Sequence, residues 1–307
     1  MRALVISGGG SKGAYAGGVA EYLITVQQHT YDLYLGTSTG SLLIPHLALG
    51  EVKKLHRIYT NVNQSTIFSL NPFRLRKKGD REFVSINFMN TMLQFIKHKR
   101  TFGESKNLQK NIRKNFSREE FYKARTLAKD VVVTVSNLTK NTTEYKSIQK
   151  FEYEDFCDWI WISCNYVPFM SLVKKNGCEY ADGGFGCIIP IREAIRRGAT
   201  EIDAIILESE NMEHNKVLGK NPFSLMFNLF GYMLDQVEYH DVMSGKLVAK
   251  YKDVKLNLYY TPSKLTENSL IFNKKLMTKW WQQGYEYAAK KAEIIEDSQL
   301  KNIDLAG

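Results

Sequence analysis

The chain has 307 residues, of which 44% are hydrophobic and 24% charged, a composition typical of a globular protein with a large buried core. It contains no apolar run of about 18 residues, which argues against a membrane-spanning helix. The N-terminus enters a strand-like segment directly and shows no signal-peptide pattern, so we expect a cytoplasmic protein.

The net charge of +10 is concentrated in one part of the chain. Residues 71–129 contain 16 Lys or Arg against five Asp or Glu, a local net charge of +11. This pattern indicates either a solvated helical face or an anionic partner, and we expect peripheral contact with an anionic membrane. Alternating aromatic and basic motifs are not evident, so no nucleic acid is expected.

The first fifty residues predict two strand–helix units. Residues 4–6 are apolar, are followed by glycine and predict a buried strand, and residues 14–28 have helical spacing. Residues 31–35 predict a second strand, and residues 39–49 predict a helix that ends near Gly50. This order favours parallel pairing in an α/β sheet.

Residues 51–129 predict four or five helices and no convincing strand. Helices are expected at 82–99, 106–115 and 118–128, the last of them preceded by a capping-box sequence that begins at Ser117. No linker-like composition separates this stretch from its flanks. We interpret it as a helical, basic insertion or cap within a single domain, residues 1–307.

The remaining residues return to alternating strands and helices. Asn176-Gly177 predicts a hairpin turn between strands at 169–173 and 178–180. Other strands are expected at 130–137, 143–148, 202–207 and 254–260, and helices at 153–163, 190–197, 221–250 and 273–296.

Residues 36–40 read G-x-S-x-G, with Ser38 between a predicted strand and a predicted helix. A serine at such a sharp turn projects its hydroxyl group, which suits a nucleophile. Gly36 and Gly40 remove Cβ atoms that would collide in so tight a bend. The positive end of the following helix also favours a developing negative charge.

Residues 8–13 form a glycine-rich turn, Gly8-Gly9-Gly10-Ser11-Lys12-Gly13. Its backbone N–H groups suit an oxyanion hole, for which Gly9 and Gly10 are the candidate donors and Lys12 adds positive charge or closes the turn. Gly8, Gly10 and Gly13 also fit the dinucleotide-binding pattern, with Asp32 as the acid that would bind ribose. A turn that merely packs the helix on the strand is a third alternative.

An activated serine needs a base, and Asp182 is the favoured candidate. Asp182-Gly183-Gly184 ends an apolar strand, and Gly183 and Gly184 allow another loop to approach closely. None of the six histidines lies in a convincing loop at a strand end; they are His29, His46, His56, His98, His214 and His240.

At these three motifs the chain resembles the bacterial members of the patatin-like phospholipase family. A segment at 163–169 and the pair Trp281 and Gly284 are similar to further parts of that family. The resemblance implies a three-layer α/β/α sandwich with a mostly parallel central sheet. It implies hydrolysis of a lipid acyl ester through an acyl-serine intermediate, with Ser38 as nucleophile, Asp182 as base and no histidine, metal or organic cofactor.

Three other functions remain open from the sequence. A Ser-His-Asp esterase would need one of the histidines at the site. A nucleotide-binding oxidoreductase would use the glycine-rich turn differently, and a membrane- or nucleic-acid-binding module would carry a degenerate site. For the hydrolase, four aromatic residues are expected to contact acyl chains: Phe68, Phe73, Phe95 and Phe102.

Overall fold

The computed structural model describes residues 1–78, 81–210, 222–266 and 268–304. Its first two strand–helix units are β1 (Arg2–Ile6), α1 (Gly13–Thr25), β2 (Leu33–Thr37) and α2 (Thr39–Ala48). Both strands are almost entirely buried, as expected for the centre of a parallel sheet covered on both faces.

Most other elements lie close to their predicted bounds; the exceptions are the two segments described below and α11, which extends eight residues beyond the predicted end at 296. The strands are β3 (Phe73–Lys78), β4 (Arg81–Ile86), β5 (Asp130–Asn137), β6 (Thr142–Ser147), β7 (Val173–Lys175), β8 (Cys178–Asp182), β9 (Glu201–Ser209) and β10 (Lys255–Thr261). The helices are α3 (Val52–Tyr59), α4 (Gln64–Ile67), α5 (Phe88–Ile96), α6 (Lys106–Asn115), α7 (Arg118–Leu127), α8 (Tyr153–Ser163), α9 (Ile191–Arg196), α10 (Pro222–Tyr251) and α11 (Lys274–Asp304).

One mixed sheet organises the described residues. Its order is β10, β9, β1, β2, β5, β8, β7, and β6 pairs with β5. The strands from β10 to β5 are parallel, whereas β6, β7 and β8 pair antiparallel. Leu4 and Ile6 of β1 pack in the larger core with α1 and α2, and Ala3 and Val5 pack in a second core with α9. Helices therefore cover both faces, which confirms the predicted α/β/α sandwich.

The register of β5 brings β2 and β8 end to end. Residues 132–137 of β5 pair with β6 along one edge. On the other edge, Thr134 pairs with Thr37, the last residue of β2, and Val135 pairs with Asp182, the last residue of β8. Since β2 runs parallel to β5 and β8 runs antiparallel, the C-terminal ends of both strands meet at this point of the edge.

The basic insertion is not entirely helical, so the prediction of no strand between 51 and 129 was wrong. β3 and β4 form an antiparallel hairpin in which Phe73 lies opposite Ile86. Val84 and Ile86 lie on either side of Ser85, two residues apart as on one face of a strand, whereas the predicted helix at 82–99 merged them with the apolar residues of α5. The remaining described elements of the insertion are helices.

The strand predicted at 169–173 was also wrong. Phe169 and Met170 donate their backbone N–H groups to the carbonyl of Tyr166, so this segment is a turn, and β7 begins only at Val173. The hairpin turn at Asn176-Gly177 is found as predicted, with both residues at positive φ. Among the described helices, none combines the length and the hydropathy that a membrane crossing requires.

The packing of α11 on α1 depends on glycine, which gives a stability prediction. A Cβ at Gly284 of α11 would lie 2.1 Å from the Tyr15 carbonyl oxygen of α1, whereas a Cβ at Gly231 of α10 would have open space. We expect Gly284→Ala to lower the free energy of unfolding by about 1–3 kcal/mol. Gly231→Ala should raise it by about 0.5–1 kcal/mol, because alanine favours the helix. Urea unfolding of both variants distinguishes these effects, and equal stability would contradict the close contact.

Candidate active site

The nucleophile candidate, Ser38, lies at the turn between β2 and α2. Its backbone is held at φ 52° and ψ −118°, a conformation that non-glycine residues rarely adopt. A Cβ at Gly36 would lie 2.4 Å from the Gly40 carbonyl carbon, and one at Gly40 would lie 2.3 Å from the Ile6 oxygen. The two glycines therefore allow the turn to close over the end of β1.

A buried serine from α8 fixes this turn. Ser163 Oγ accepts a 2.9 Å hydrogen bond from the Ser38 N–H group and donates a 2.6 Å bond to the Thr134 carbonyl of β5. The Cys164 thiol donates to the Ser38 carbonyl across 3.1 Å. These bonds satisfy backbone groups at the strained residue, so the position of the hydroxyl group is determined by several elements at once.

The base candidate, Asp182, contacts the nucleophile directly. Ser38 Oγ donates a 2.6 Å hydrogen bond to Asp182 Oδ2, and the Gly184 N–H group donates a 2.8 Å bond to Asp182 Oδ1. A Cβ at Gly183 would lie 2.3 Å from the Thr134 carbonyl oxygen, so glycine is needed for β8 to end against β5. The structure thus joins two residues that are 144 positions apart in the sequence.

Burial changes the acidity of Asp182, whose relative exposure is 5%. Loss of solvation raises the pKa of this carboxyl group from 3.8 to about 7, and the hydrogen bonds from Ser38 and Gly184 oppose the rise only in part. A carboxylate with a pKa near neutrality is a much better proton acceptor than an exposed aspartate.

The glycine-rich loop lies beside the serine. A Cβ at Gly8 would be 3.4 Å from Ser38 Cβ, and the Gly8 N–H group donates to the Ile188 carbonyl. No hydrogen-bond acceptor for the N–H groups of Gly9 and Gly10 is found in the described part of the chain. Gly10 has a φ of 55°, and a Cβ there would lie 2.2 Å from the Ser269 carbonyl oxygen. The loop therefore offers two unused donors next to Ser38.

A tyrosine from the basic insertion supports this loop. Tyr59 Oη hydrogen-bonds to Thr39 Oγ1 and donates a 3.1 Å bond to the Gly10 carbonyl. A Cβ at Gly13 would lie 2.4 Å from the Tyr59 hydroxyl oxygen, so this motif glycine makes room for the contact. Tyr59 was not predicted from the sequence, because no local pattern distinguishes it from other apolar positions of α3.

Lys12 makes an ion pair that the sequence did not suggest. Its Nζ contacts Glu208 Oε1 at the end of β9, and its side chain is buried. The nearby Glu238 of α10 is also buried, and desolvation raises the pKa of its carboxyl group to about 8, with the Glu208 charge adding to the shift. The Lys12 ammonium group is thus oriented by a carboxylate and does not point freely into solvent.

A cavity of about 680 Å³ opens in front of Ser38 and Asp182. One part of its lining is apolar and comes from α2, α3, α6, α8 and nearby loops; it includes Leu42, Leu55, Ile112, Phe116, Ile160 and Phe272. Another part is polar and includes Lys12, Glu208, Asp235 and Glu238. An apolar chamber of this kind next to the nucleophile candidate is suited to bind a hydrocarbon chain.

The aromatic residues predicted to contact acyl chains do not line this cavity. Phe68 and Phe73 are buried in the core, where their ring centroids are 5.8 Å apart, and Phe102 packs 5.6 Å from Phe169. Phe95 is exposed on α5. The sequence alone does not distinguish aromatic rings that fill the core from rings that line the cavity, so for a chain bound in the cavity the prediction of these four residues was wrong.

The described histidines do not contact Ser38 or Asp182. His46 lines the cavity, but it lies eight residues after Ser38 on α2, roughly 12 Å along the helix. Burial lowers the pKa of its imidazole to about 4. His214 lies outside the described residues. Asp32 accepts a hydrogen bond from the Arg2 N–H group. It lies just before the start of β2, far along the strand from the glycine-rich loop.

The described residues contain no group of three or more His, Cys, Asp and Glu side chains arranged to hold a metal ion. The four cysteines form no disulfide. The fold and the geometry define an α/β/α protein with a serine at a strand–helix turn and a carboxylate at hydrogen-bond distance.

Comparisons with known proteins agree with this description. A profile of the family described as patatin-like phospholipase matches residues 4–195, which include all three motifs. The chain therefore belongs to the patatin-like phospholipase family, whose activity is the hydrolysis of lipid acyl esters.

Two similar proteins are longer than this chain. The uncharacterized protein YjjU of Escherichia coli is 24% identical over 277 residues, which cover 86% of this chain and 66% of that protein. The crystal structure of VipD from Legionella pneumophila superposes with a TM-score of 0.54 at 14% identity and covers 94% of this chain and 66% of that one. The chain thus spans about two thirds of the length of either protein, and the likeness to VipD concerns the fold alone.

The buried carboxyl group predicts an unusual pH dependence of stability. An acid whose pKa rises on folding binds its proton more tightly in the folded state, so the free energy of unfolding falls as pH increases from 3.8 to about 7. The uncharged amide of Asp182→Asn can still accept a hydrogen bond from the Gly184 N–H group and form another with the Ser38 hydroxyl group. We expect Asp182→Asn to gain about 2–4 kcal/mol relative to wild type between about pH 4 and pH 8.

Denaturant unfolding at both pH values measures this difference. The matched control is Asp253→Asn, which removes an exposed carboxylate outside the site and should leave the pH dependence close to that of wild type. An Asp182→Asn curve parallel to the wild-type curve would contradict the raised pKa.

Proposed function

We propose that the protein is a serine acyl hydrolase of the phospholipase A or lysophospholipase type, with Ser38 as nucleophile and Asp182 as base. The observation that carries the proposal is the 2.6 Å hydrogen bond from Ser38 Oγ to the buried Asp182 carboxylate. A serine hydroxyl group is a weak nucleophile unless a base takes its proton, and Asp182 is the group placed to do so.

The geometry supports a two-step reaction. Asp182 takes the proton as Ser38 Oγ attacks the acyl carbonyl carbon, and the carbonyl oxygen becomes negative next to the N–H groups of Gly9 and Gly10. The protonated Asp182 then gives the proton to the leaving alkoxide, which leaves an acyl-serine. Water, activated by the same carboxylate, hydrolyses that ester and restores Ser38.

The supporting residues have separate tasks in this proposal. Gly8, Gly13, Gly36, Gly40, Gly183 and Gly184 allow three turns to approach each other. Lys12, held by Glu208, places a positive charge near the oxyanion loop and favours the tetrahedral intermediate. Neither a metal nor an organic cofactor takes part in this reaction scheme.

We also infer that residues 51–129 belong to one acyl hydrolase domain, residues 1–307, and are not a separate module. Tyr59 supports the oxyanion loop, and Leu55 and Ile112 line the cavity in front of Ser38. The site would therefore be incomplete without the insertion. The net charge of +11 over residues 71–129 supports peripheral contact of a cytoplasmic protein with anionic lipid.

Substitution of the two central residues tests the proposed roles. We expect Ser38→Ala and Asp182→Asn each to lower kcat on a phospholipid and on a soluble short-chain ester by at least about 10³-fold, while circular dichroism shows a folded protein. His240→Ala and His214→Ala should retain activity close to wild type.

A loss with either histidine variant as large as that with Asp182→Asn would favour a Ser-His-Asp triad. If wild type hydrolyses no ester, and NAD(P) raises its unfolding temperature, the oxidoreductase alternative would be favoured instead.

The raised pKa of Asp182 sets the pH profile. Only the ionised carboxylate can accept the serine proton, so kcat/KM should increase with pH through an apparent pKa of about 7 and then level off. Initial rates with a soluble ester, measured from about pH 5 to pH 9, check this. A profile already flat from about pH 5 would indicate a carboxylate of ordinary acidity and contradict the proposed activation.

A further inference from the structure

Helix α5 presents its apolar side chains to solvent. Phe88 is 65% exposed, Met89 72% and Ile96 63%, and Met92, Leu93 and Phe95 are also exposed. The inward positions are polar, since Thr91 and Gln94 are only 4% and 1% exposed. A surface helix of a globular protein normally has the opposite arrangement, with its apolar stripe facing the core.

The inward face of α5 moreover contains buried polar atoms that lack hydrogen bonds. Thr91 Oγ1 and Gln94 Nε2 are buried and have no hydrogen-bond partner among the described residues. The helix is nevertheless held in place, because Asn87 caps its start and Asn90 Nδ2 donates a 2.8 Å bond to the Asn71 carbonyl. The outward direction of the apolar face is therefore a fixed feature, and an exposed apolar patch of this kind marks a contact surface.

The charges around α5 indicate which partner covers it. The helix itself carries no charged residue, and it is followed directly by exposed Lys97, Lys99 and Arg100, with exposed Arg74 in β3. An apolar face beside a cationic group of residues complements an anionic lipid surface. A second copy of this chain packed on the same face would bring two groups of like charge together.

A second exposed apolar face lies on α10. Leu225, Leu229, Tyr232 and Met233 follow helical spacing and are all more than half exposed. Tyr232 also lines the cavity in front of Ser38. This face therefore adjoins the opening through which a lipid would enter.

Aromatic contacts connect the two faces through the site. Phe95 of α5 packs 6.1 Å from Phe102, which packs 5.6 Å from Phe169. Phe169 stacks 5.9 Å from Tyr166, a cavity residue whose ring lies 6.3 Å from Phe230 of α10. A chain of ring contacts thus links α5, the cavity and Phe230 of α10.

From these observations we infer that the outward faces of α5 and of the start of α10 insert into the headgroup–acyl boundary of an anionic phospholipid bilayer. Met89, Met92 and Phe95 enter the apolar layer, and Lys97 and Lys99 contact lipid phosphates, whereas Arg100 pairs with Glu179. The inference rests on the proposed function, because the membrane would supply the lipid substrate of the site. Membrane binding itself does not require catalysis.

Vesicle co-sedimentation of the full chain tests the inference. Wild type and Ser38→Ala are mixed with vesicles of phosphatidylcholine alone or of an equimolar mixture with phosphatidylglycerol. Both proteins should bind the anionic vesicles more tightly. The double variant Met89→Gln/Met92→Gln should bind at least about tenfold more weakly, because two apolar side chains no longer leave water. Lys97→Gln/Lys99→Gln should remove most of the preference for phosphatidylglycerol.

The matched control is Val26→Gln/Leu127→Gln, which changes two exposed apolar residues at the ends of α1 and α7, outside α5 and α10, and should bind as wild type does. Hydrolysis of a soluble short-chain ester by Met89→Gln/Met92→Gln should equal that by wild type, which would show an intact site.

If Met89→Gln/Met92→Gln still binds vesicles normally, or wild type does not bind them, the inference is wrong. It is equally wrong if gel filtration shows a wild-type dimer that Met89→Gln/Met92→Gln converts to a monomer. Vesicle binding without any ester hydrolysis would reject the proposed function and leave the inference standing.

Discussion

The site depends on how one edge of β5 is shared. β2 pairs with this edge up to Thr134, and β8 pairs with it from Val135 onward. Both strands therefore end at the same point. Ser38 follows the last residue of β2, and Asp182 is the last residue of β8. The hydrogen bond between their side chains is therefore a consequence of strand register. A shift of either strand by one residue would turn its side chains to the other face of the sheet and separate the pair.

The same packing supplies the chemistry. Closing three turns around one point excludes water from Asp182, and this desolvation is what raises its pKa to about 7. The strained backbone of Ser38 and the unpartnered N–H groups of Gly9 and Gly10, as found within the described residues, belong to the same arrangement. Such features cost stability, and the large buried cores on both faces of the sheet offset that cost. Gly10, Gly36, Gly40 and Gly183 are needed because backbone atoms of another segment, or of the same turn, lie where their Cβ atoms would be.

The strand and helix order and the three motifs could be predicted because they are local. A serine between glycines at a strand end, or an aspartate followed by two glycines, carries its signal within a few residues. Other features depend on contacts between distant segments. Tyr59 of the insertion bonds to the glycine-rich loop, and Lys12 pairs with Glu208, 196 residues away, so no short pattern marks either contact. The hairpin of β3 and β4 was missed because β4 ends only two residues before α5 begins, and the apolar residues of both elements were assigned to one helix.

In the proposed mechanism, Asp182 activates Ser38 through their direct hydrogen bond. The most direct measurement is the rate of covalent labelling by a fluorophosphonate, with the modified residue located by mass spectrometry of proteolytic peptides. We expect Ser38 of the wild-type protein to be labelled and Asp182→Asn to be labelled at least about 10²-fold more slowly. Labelling of a different residue, or an equal rate in Asp182→Asn, would contradict this mechanism.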